Sequence, residues 1–151
     1  MVKDRLIAAG IAGIAGACSN IILGVILKSL HWSDRALYDY STTLFGKMTY
    51  GSMGFWGFLM EIITDIALCI IWAIIFAYVI KVTSSHYYYI KGLGFGFVIW
   101  MVLTSLGTLF NIPLFTETPL EVAYTTLFTA LVFGFVVAWV LKFIEQKTEL
   151  V

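Results

Sequence analysis

Two carboxylates, Glu61 and Asp65, lie inside a long apolar stretch, four positions apart in the chain. Side chains at that separation share one face of a helix. A carboxylate at mid-membrane costs at least ~3 kcal/mol on insertion scales, so acids there usually face the interior of a bundle and have partners. Lys28 ends the preceding apolar stretch on the same side of the membrane. We expect Lys28 to pair with Glu61, and the deeper Asp65 to be neutral or hydrogen-bonded to a neighbouring amide or hydroxyl.

Further polar side chains occupy the same half of the predicted membrane domain. The candidate pocket residues, drawn from all four apolar stretches and their ends, are Asn20, Lys28, Glu61, Asp65, Thr104, Thr108, Asn111, Glu121, Thr125 and Thr129. If the faces that carry them converge, they form a polar pocket open to the outside. In the structural alternative, the charges form one salt bridge and the threonines bond to carbonyls of their own helices. The sequence leaves both interpretations open.

Familiar signatures of catalysis and metal binding are absent from the sequence. His31 and His86 do not combine with Cys18 and Cys69 at the spacing of a metal site. Both cysteines lie in apolar stretches, where a thiol is more often a small packing residue than part of a disulfide framework. We therefore expect no metal, no cofactor and no catalytic residue of a familiar type. An enzyme that uses the acidic pair is the alternative.

Four apolar stretches must position these groups. Of the 151 residues, 61% are hydrophobic and 12% are charged, against ~25% charged in an ordinary soluble domain. A helix needs ~20 apolar residues to cross the hydrocarbon core, and residues 6–30, 55–81, 92–111 and 119–144 provide such spans. In lipid the backbone must satisfy its own hydrogen bonds, so each span is predicted to be a helix. The predicted fold is all-α, one transmembrane domain over residues 1–151 that forms a four-helix bundle.

Small residues recur at every fourth position of the first span. The candidate packing residues are Ala9, Gly13, Gly16, Ala17 and Gly24. Small side chains let two membrane helices approach closely and gain dispersion contact. We expect this face to pack inside the bundle, because the first helix needs partners there. A face for dimer formation is the alternative.

The first connection is the longest, and its pattern predicts a short helix. Ser33 is the candidate cap, and the helix runs to about Phe45. Its apolar face carries Leu37, Tyr40 and Leu44, and its polar face carries Arg35, Asp39 and Thr42. A pattern of this kind is typical of a helix that lies in the membrane interface.

Lysine and arginine residues near the span ends predict the orientation of the chain. One side carries Lys3, Arg5, Lys81, Lys91, Lys142 and Lys147, and the other carries Lys28, Arg35 and Lys47. This bias predicts that both termini are cytoplasmic and that the protein lies in the plasma membrane, the inner membrane of a bacterium. The formal net charge is zero, so the predicted partner is the lipid bilayer and not a nucleic acid.

Several short motifs follow one another in a characteristic order. They are the glycine-rich opening with Asn20, then His31–Ser33 with Tyr38, Ile74–Tyr78, Lys91–Gly92 with Phe95–Gly96, Asn111–Pro113 and Ala138–Lys142. Over most of its length the chain resembles the YqhR-like proteins, small four-helix membrane proteins of Gram-positive anaerobes. The resemblance implies a four-helix fold and an acid at Glu61. It transfers no activity.

Three functions are compatible with these patterns. The sequence favours an accessory or scaffold protein that packs in a homo-oligomer or a larger membrane complex. The first alternative is a transport or sensing protein that binds a cation or proton in the outer pocket through Asp65 and Glu61. The second is a membrane enzyme that acts on a lipid with the same carboxylates.

Overall fold

The computed structural model describes residues 4–45, 54–83, 87–116 and 118–147. These residues form α1 (Arg5–Ser29), a 3-10 helix (Leu37–Phe45), α2 (Gly54–Thr83), α3 (Tyr88–Leu109), the short α4 (Pro113–Thr116) and α5 (Leu120–Lys147). Within the described ranges no residue lies in a strand. Within the same ranges, four helices are each long and apolar enough to cross a membrane, namely α1, α2, α3 and α5. The predicted all-α fold with four spans is confirmed, and the chain is a multi-pass membrane protein.

The observed helix bounds extend beyond most of the predicted ones. The largest difference is at α3, which starts at Tyr88, one turn before the predicted residue 92. Tyr87 has a left-handed backbone with φ 58°, and its carbonyl accepts the Lys91 N–H at 3.0 Å. The turn therefore closes before the glycines of this segment, so Gly92 lies inside the helix.

The first connection differs from the predicted amphipathic helix. Ser33 does not cap a helix, because its hydroxyl exchanges hydrogen bonds with the backbone of Arg35. The helical part is a 3-10 helix that begins at Leu37 and packs against α1, α2 and α5. Asp39, which we placed on a polar face, is 1% exposed. The prediction was wrong for Asp39, because the connection folds back onto the bundle.

The order of the helices in space explains where the bundle is open. α1 packs extensively against both α2 and α5, and α3 packs against α5. α2 and α3 make few contacts with each other. The helices therefore follow one another as α2, α1, α5 and α3, with a gap between the two outer members. We call the end of the bundle that carries the 3-10 helix and α4 the capped end.

Glycines allow the closest helix crossings inside this arrangement. An added Cβ at Gly13 would lie 2.6 Å from the Ile70 backbone, and one at Gly16 would lie 2.6 Å from the Phe133 ring. One at Gly24 would lie 2.6 Å from the Tyr38 ring. The other two candidate packing residues, Ala9 and Ala17, are fully buried. All five candidate packing residues of α1 thus pack within this chain.

Candidate functional site

A cavity of about 340 Å³ lies between α2 and α3. Asn20 of α1 and the α5 face with Ala123, Thr126 and Ala130 form its inner wall. The 3-10 helix and α4 close it at the capped end. The lining residues from these two elements are Leu37, Tyr40, Ser41 and Phe115. The cavity exists because α2 and α3 are held apart, each packed on a different inner helix.

Asp65 and Asn20 are a carboxylic acid and an amide buried in the cavity wall. Asp65 is 5% exposed and Asn20 is 2% exposed. Cys69 lies between them: its thiol is 3.9 Å from Asp65 Oδ2, and Asn20 Nδ2 donates to its sulfur at 3.6 Å. Asn20 Oδ1 is buried without a hydrogen-bond partner among the described residues. The Asn20 amide oxygen therefore leaves hydrogen-bonding capacity unused beside the cavity.

No described cation neutralises the Asp65 carboxylate. The ion pair within the described part of the chain joins Lys28 to Asp39, with 2.7 Å between Nζ and Oδ2. We predicted Lys28 as the partner of Glu61, and this prediction was wrong. The 3-10 helix folds back onto the end of α1 and brings Asp39 to the ammonium group. The Glu61 side chain is half-buried and does not line the cavity.

Aromatic rings make up much of the remaining lining. Trp72 of α2, Trp100 of α3 and Phe133 of α5 surround the deeper part of the cavity. Trp100 Nε1 donates to the Thr126 hydroxyl at 3.2 Å, which fixes this indole on the α5 side. Tryptophans in the middle of a span, away from the headgroup region, are the sequence signal that could have pointed to these residues.

The cap over the cavity, which consists of the 3-10 helix and α4, is attached to several helices. The Ser41 hydroxyl donates to the Tyr38 carbonyl at 2.6 Å and lies 3.1 Å from the Glu61 carbonyl of α2. The Tyr40 ring lies 4.5 Å from the Phe115 ring of α4, measured between centroids. Burial raises the pKa of both Tyr38 and Tyr40, so both phenols keep their protons at neutral pH. The cap is a packed element of the fold.

The structure brings together three of the ten predicted pocket residues, Asn20, Asp65 and Thr104. The residues that do not line the cavity are Lys28, Glu61, Thr108, Asn111, Glu121, Thr125 and Thr129. Thr108, Thr125 and Thr129 each donate to a carbonyl of their own helix, at 2.7–3.0 Å. These three threonines fit the structural alternative, because a threonine bonded in this way needs no polar neighbour.

On α5 the cavity-facing hydroxyl belongs to Thr126. From the sequence we selected Thr125 and Thr129, which lie four residues apart, and did not identify Thr126. One position along a helix is a rotation of about 100°, so Thr125 is half-buried outside the cavity. Asn111 closes the C-terminal end of α3 in a left-handed conformation, φ 52°, and is exposed.

The cysteines occupy two different environments. Cys69 lies at the cavity wall, whereas Cys18 is exposed on α1, and neither forms a disulfide. We predicted both as packing residues, which was wrong for Cys18. Among the described residues, no three His, Cys, Asp or Glu side chains are placed to hold a metal ion.

Fold and site define a multi-pass membrane protein with an amphipathic cavity inside a four-helix bundle. No protein-family model matches the chain, and no curated protein or solved structure is similar to it.

Proposed function

We propose that this protein binds a small ligand in the cavity between α2 and α3, as a sensing or transport protein of the membrane. The observation that carries the proposal is the placement of Asp65 and Asn20 in the wall of a largely apolar cavity. Ligand sites typically combine an apolar lining of 300–1,000 Å³ with a few placed polar groups. The cavity has this composition and lies within this range of volume.

Stability alone does not account for this arrangement. An unsatisfied buried polar group costs ~1–3 kcal/mol, and interiors are normally packed without large voids. An acid inside a membrane span is for that reason a candidate functional group by default. A bundle that served only to pack would gain free energy from apolar side chains at Asn20 and Asp65.

The cavity is covered at the capped end and less covered between α2 and α3. The capped end is closed by the 3-10 helix and α4, whereas α2 and α3 make few contacts along their length. A ligand dissolved in the bilayer can therefore enter sideways between α2 and α3. This route suits a lipophilic molecule more than a hydrated ion.

A cavity-filling variant tests the proposal. Ala123 lines the cavity, whereas Ala67 is exposed on α2 and outside it. Ala123→Phe should displace a bound ligand, and Ala67→Phe is the matched control with the same added volume. Native mass spectrometry of protein purified from its own host membrane should show a small adduct on the wild type and on Ala67→Phe, and none on Ala123→Phe. An adduct that persists in Ala123→Phe, or no adduct on any of the three, would contradict ligand binding in this cavity.

The accessory or scaffold interpretation is the second candidate. The gap between α2 and α3 can take a helix of a partner protein, in a homo-oligomer or in a larger complex. The small-residue face of α1, which favoured this interpretation in the sequence, is already used within the chain. Mass measurement in mild detergent tests the scaffold interpretation, since a monomer without a co-purifying protein counts against it. Transport with only four spans per chain also requires an oligomer.

A lipid-modifying enzyme is the weakest candidate. It requires Glu61 and Asp65 to act together, and the Glu61 side chain does not line the cavity. Loss of lipid turnover in a Glu61→Gln, Asp65→Asn double variant is the result that this candidate needs.

We also propose that the protein belongs to the YqhR-like group and lies in the plasma membrane with both termini in the cytoplasm. The lysine and arginine bias of the span ends supports this orientation. Green fluorescent protein fused after Val151 should fluoresce, and periplasmic alkaline phosphatase fused at the same position should be inactive. The reverse pattern would invert the topology.

A further inference from the structure

The cavity offers hydrogen-bond acceptors and no positive charge. Its buried carboxyl and amide oxygens belong to Asp65 and Asn20, and Asn20 Oδ1 has no partner among the described residues. The hydroxyls of Ser41 and Thr126, which are also buried in the lining, already donate to backbone carbonyls. Of the described residues that line the cavity, none is Lys, Arg or His. Of the cations near the capped end, the Lys28 ammonium group is bound to Asp39, and the Arg35 guanidinium interacts with the Tyr40 hydroxyl. A ligand that complements this wall must bring donors, and it gains most if it brings a positive charge.

The rest of the lining selects for an organic cation over an inorganic one. Trp72, Trp100 and Phe133 present aromatic surface, and an ammonium group is attracted to the face of such rings. A hard metal cation instead needs about six oxygen ligands. The described residues provide no cluster of acids for such an ion.

We infer, on the basis of the proposed function, that the cavity binds a lipophilic organic amine. Its ammonium group binds the Asp65 carboxylate beside Asn20, and its apolar body extends toward Trp72. Asp65 and Trp72 are about two helical turns apart, or ~10 Å along α2. A phenyl ring on a four-carbon chain has a similar length. The gap between α2 and α3 admits such a molecule from the bilayer.

A matched pair of probes tests this inference on the full-length protein in detergent. Radiolabelled 4-phenylbutylamine should bind, and 4-phenylbutanol, the same molecule with a hydroxyl in place of the ammonium group, should compete at least about tenfold more weakly. Asp65→Asn should bring the two affinities to within about twofold of each other, because the amide keeps the shape and loses the charge. The control Glu61→Gln should keep the wild-type ratio, since Glu61 does not line the cavity.

A second variant protects the test against a folding defect at Asp65. Trp72→Leu should weaken binding of the amine more than binding of the alcohol, because it removes an aromatic face that attracts the cation. Equal affinities of the wild type for the two probes overturn the inference, as does a ratio that survives Asp65→Asn. Failure of the amine to bind also overturns it. In each of these cases the ligand-binding proposal stands if Ala123→Phe still removes the native adduct, and it falls if the adduct persists.

Discussion

The ammonium group of Lys28 lies 2.7 Å from Asp39 Oδ2 and donates to Oδ1 at 2.8 Å, which joins the last turn of α1 to the 3-10 helix. Asp39 also accepts the Ala36 N–H at 2.7 Å. The Asp39 side chain is 2% exposed and that of Lys28 is 30% exposed. A nearly buried acid of the first connection is therefore neutralised by a half-buried cation of the first span.

Lys28→Met should destabilise the protein by about 2–3 kcal/mol, because it leaves the buried Asp39 carboxylate without its cation. Partial exposure of Lys28 limits the loss. Thermal unfolding in one detergent measures the effect. Lys81→Met, at an exposed position of α2, is the control and should change stability by less than about 0.5 kcal/mol.

The double variant Lys28→Met, Asp39→Asn separates the ion pair from simple loss of packing. The asparagine side chain introduced in that variant can still accept the Ala36 N–H. Because it is uncharged, no buried charge is left without a partner. We expect the double variant to be more stable than Lys28→Met alone. If it is less stable, the Lys28–Asp39 pair is not the reason for the loss.

Asp65→Asn should change the free energy of unfolding by less than about 1 kcal/mol, because the described contact of the carboxylate is a long one from the Cys69 thiol. Asp65→Leu should be as stable as the wild type or more stable, because it removes a buried polar group that is poorly satisfied. Thr125 does not depend on Asp65 for a partner, because its hydroxyl bonds to the Glu121 carbonyl. Melting curves of both variants beside Lys28→Met should show Lys28→Met as the least stable.

Gly96→Ala should destabilise the bundle by about 1–3 kcal/mol, because the added methyl group would collide with the Ala130 backbone of α5. Gly94→Ala is a matched control two residues earlier in the same helix, where nothing lies within 4 Å of an added Cβ. It should stabilise α3 by roughly 0.5–1 kcal/mol, since alanine loses less conformational freedom than glycine in a helix. Equal melting temperatures for the two variants would show that α3 and α5 do not cross at Gly96.

Stability should fall as the pH rises above the ordinary tyrosine pKa of 10.0, because burial raises the pKa of Tyr38 and Tyr40 in the folded protein. The unfolded chain then loses protons that the folded chain keeps, and this favours unfolding. The stabilisation is fully present below pH 10.0 and is lost as the pH rises through the higher folded values. Melting temperatures between neutral pH and pH 11 measure the trend, with pH 11 taken as about one unit above the tyrosine reference.

Replacement of both tyrosines by phenylalanine should reduce the loss of stability at alkaline pH. Tyr124→Phe is the control, because the Tyr124 side chain is 64% exposed. An unchanged alkaline slope in the Tyr38→Phe, Tyr40→Phe variant would assign the loss to other groups.

The sequence by itself determined the number of spans and the closely packed face of α1. Bilayer thickness fixes the length of an apolar helix, so four long apolar stretches predict four spans whatever their packing. Small residues at every fourth position predict a close helix crossing for a similar reason, because only one face of a helix carries them. These features depend on local composition and spacing alone.

Only the tertiary structure decided which helix faces pack against each other. A soluble helix reveals its buried face by an apolar stripe, but α5 is apolar around most of its surface, and its threonines can all satisfy themselves on their own helix. The choice of Thr126 over Thr125 therefore depends on how α3 and α5 cross at their glycines. The sequence likewise did not indicate the partner of Lys28. Asp39 reaches it because the chain turns back after α1 through His31, whose φ is 57°, and the long-range packing of the connection determines that path.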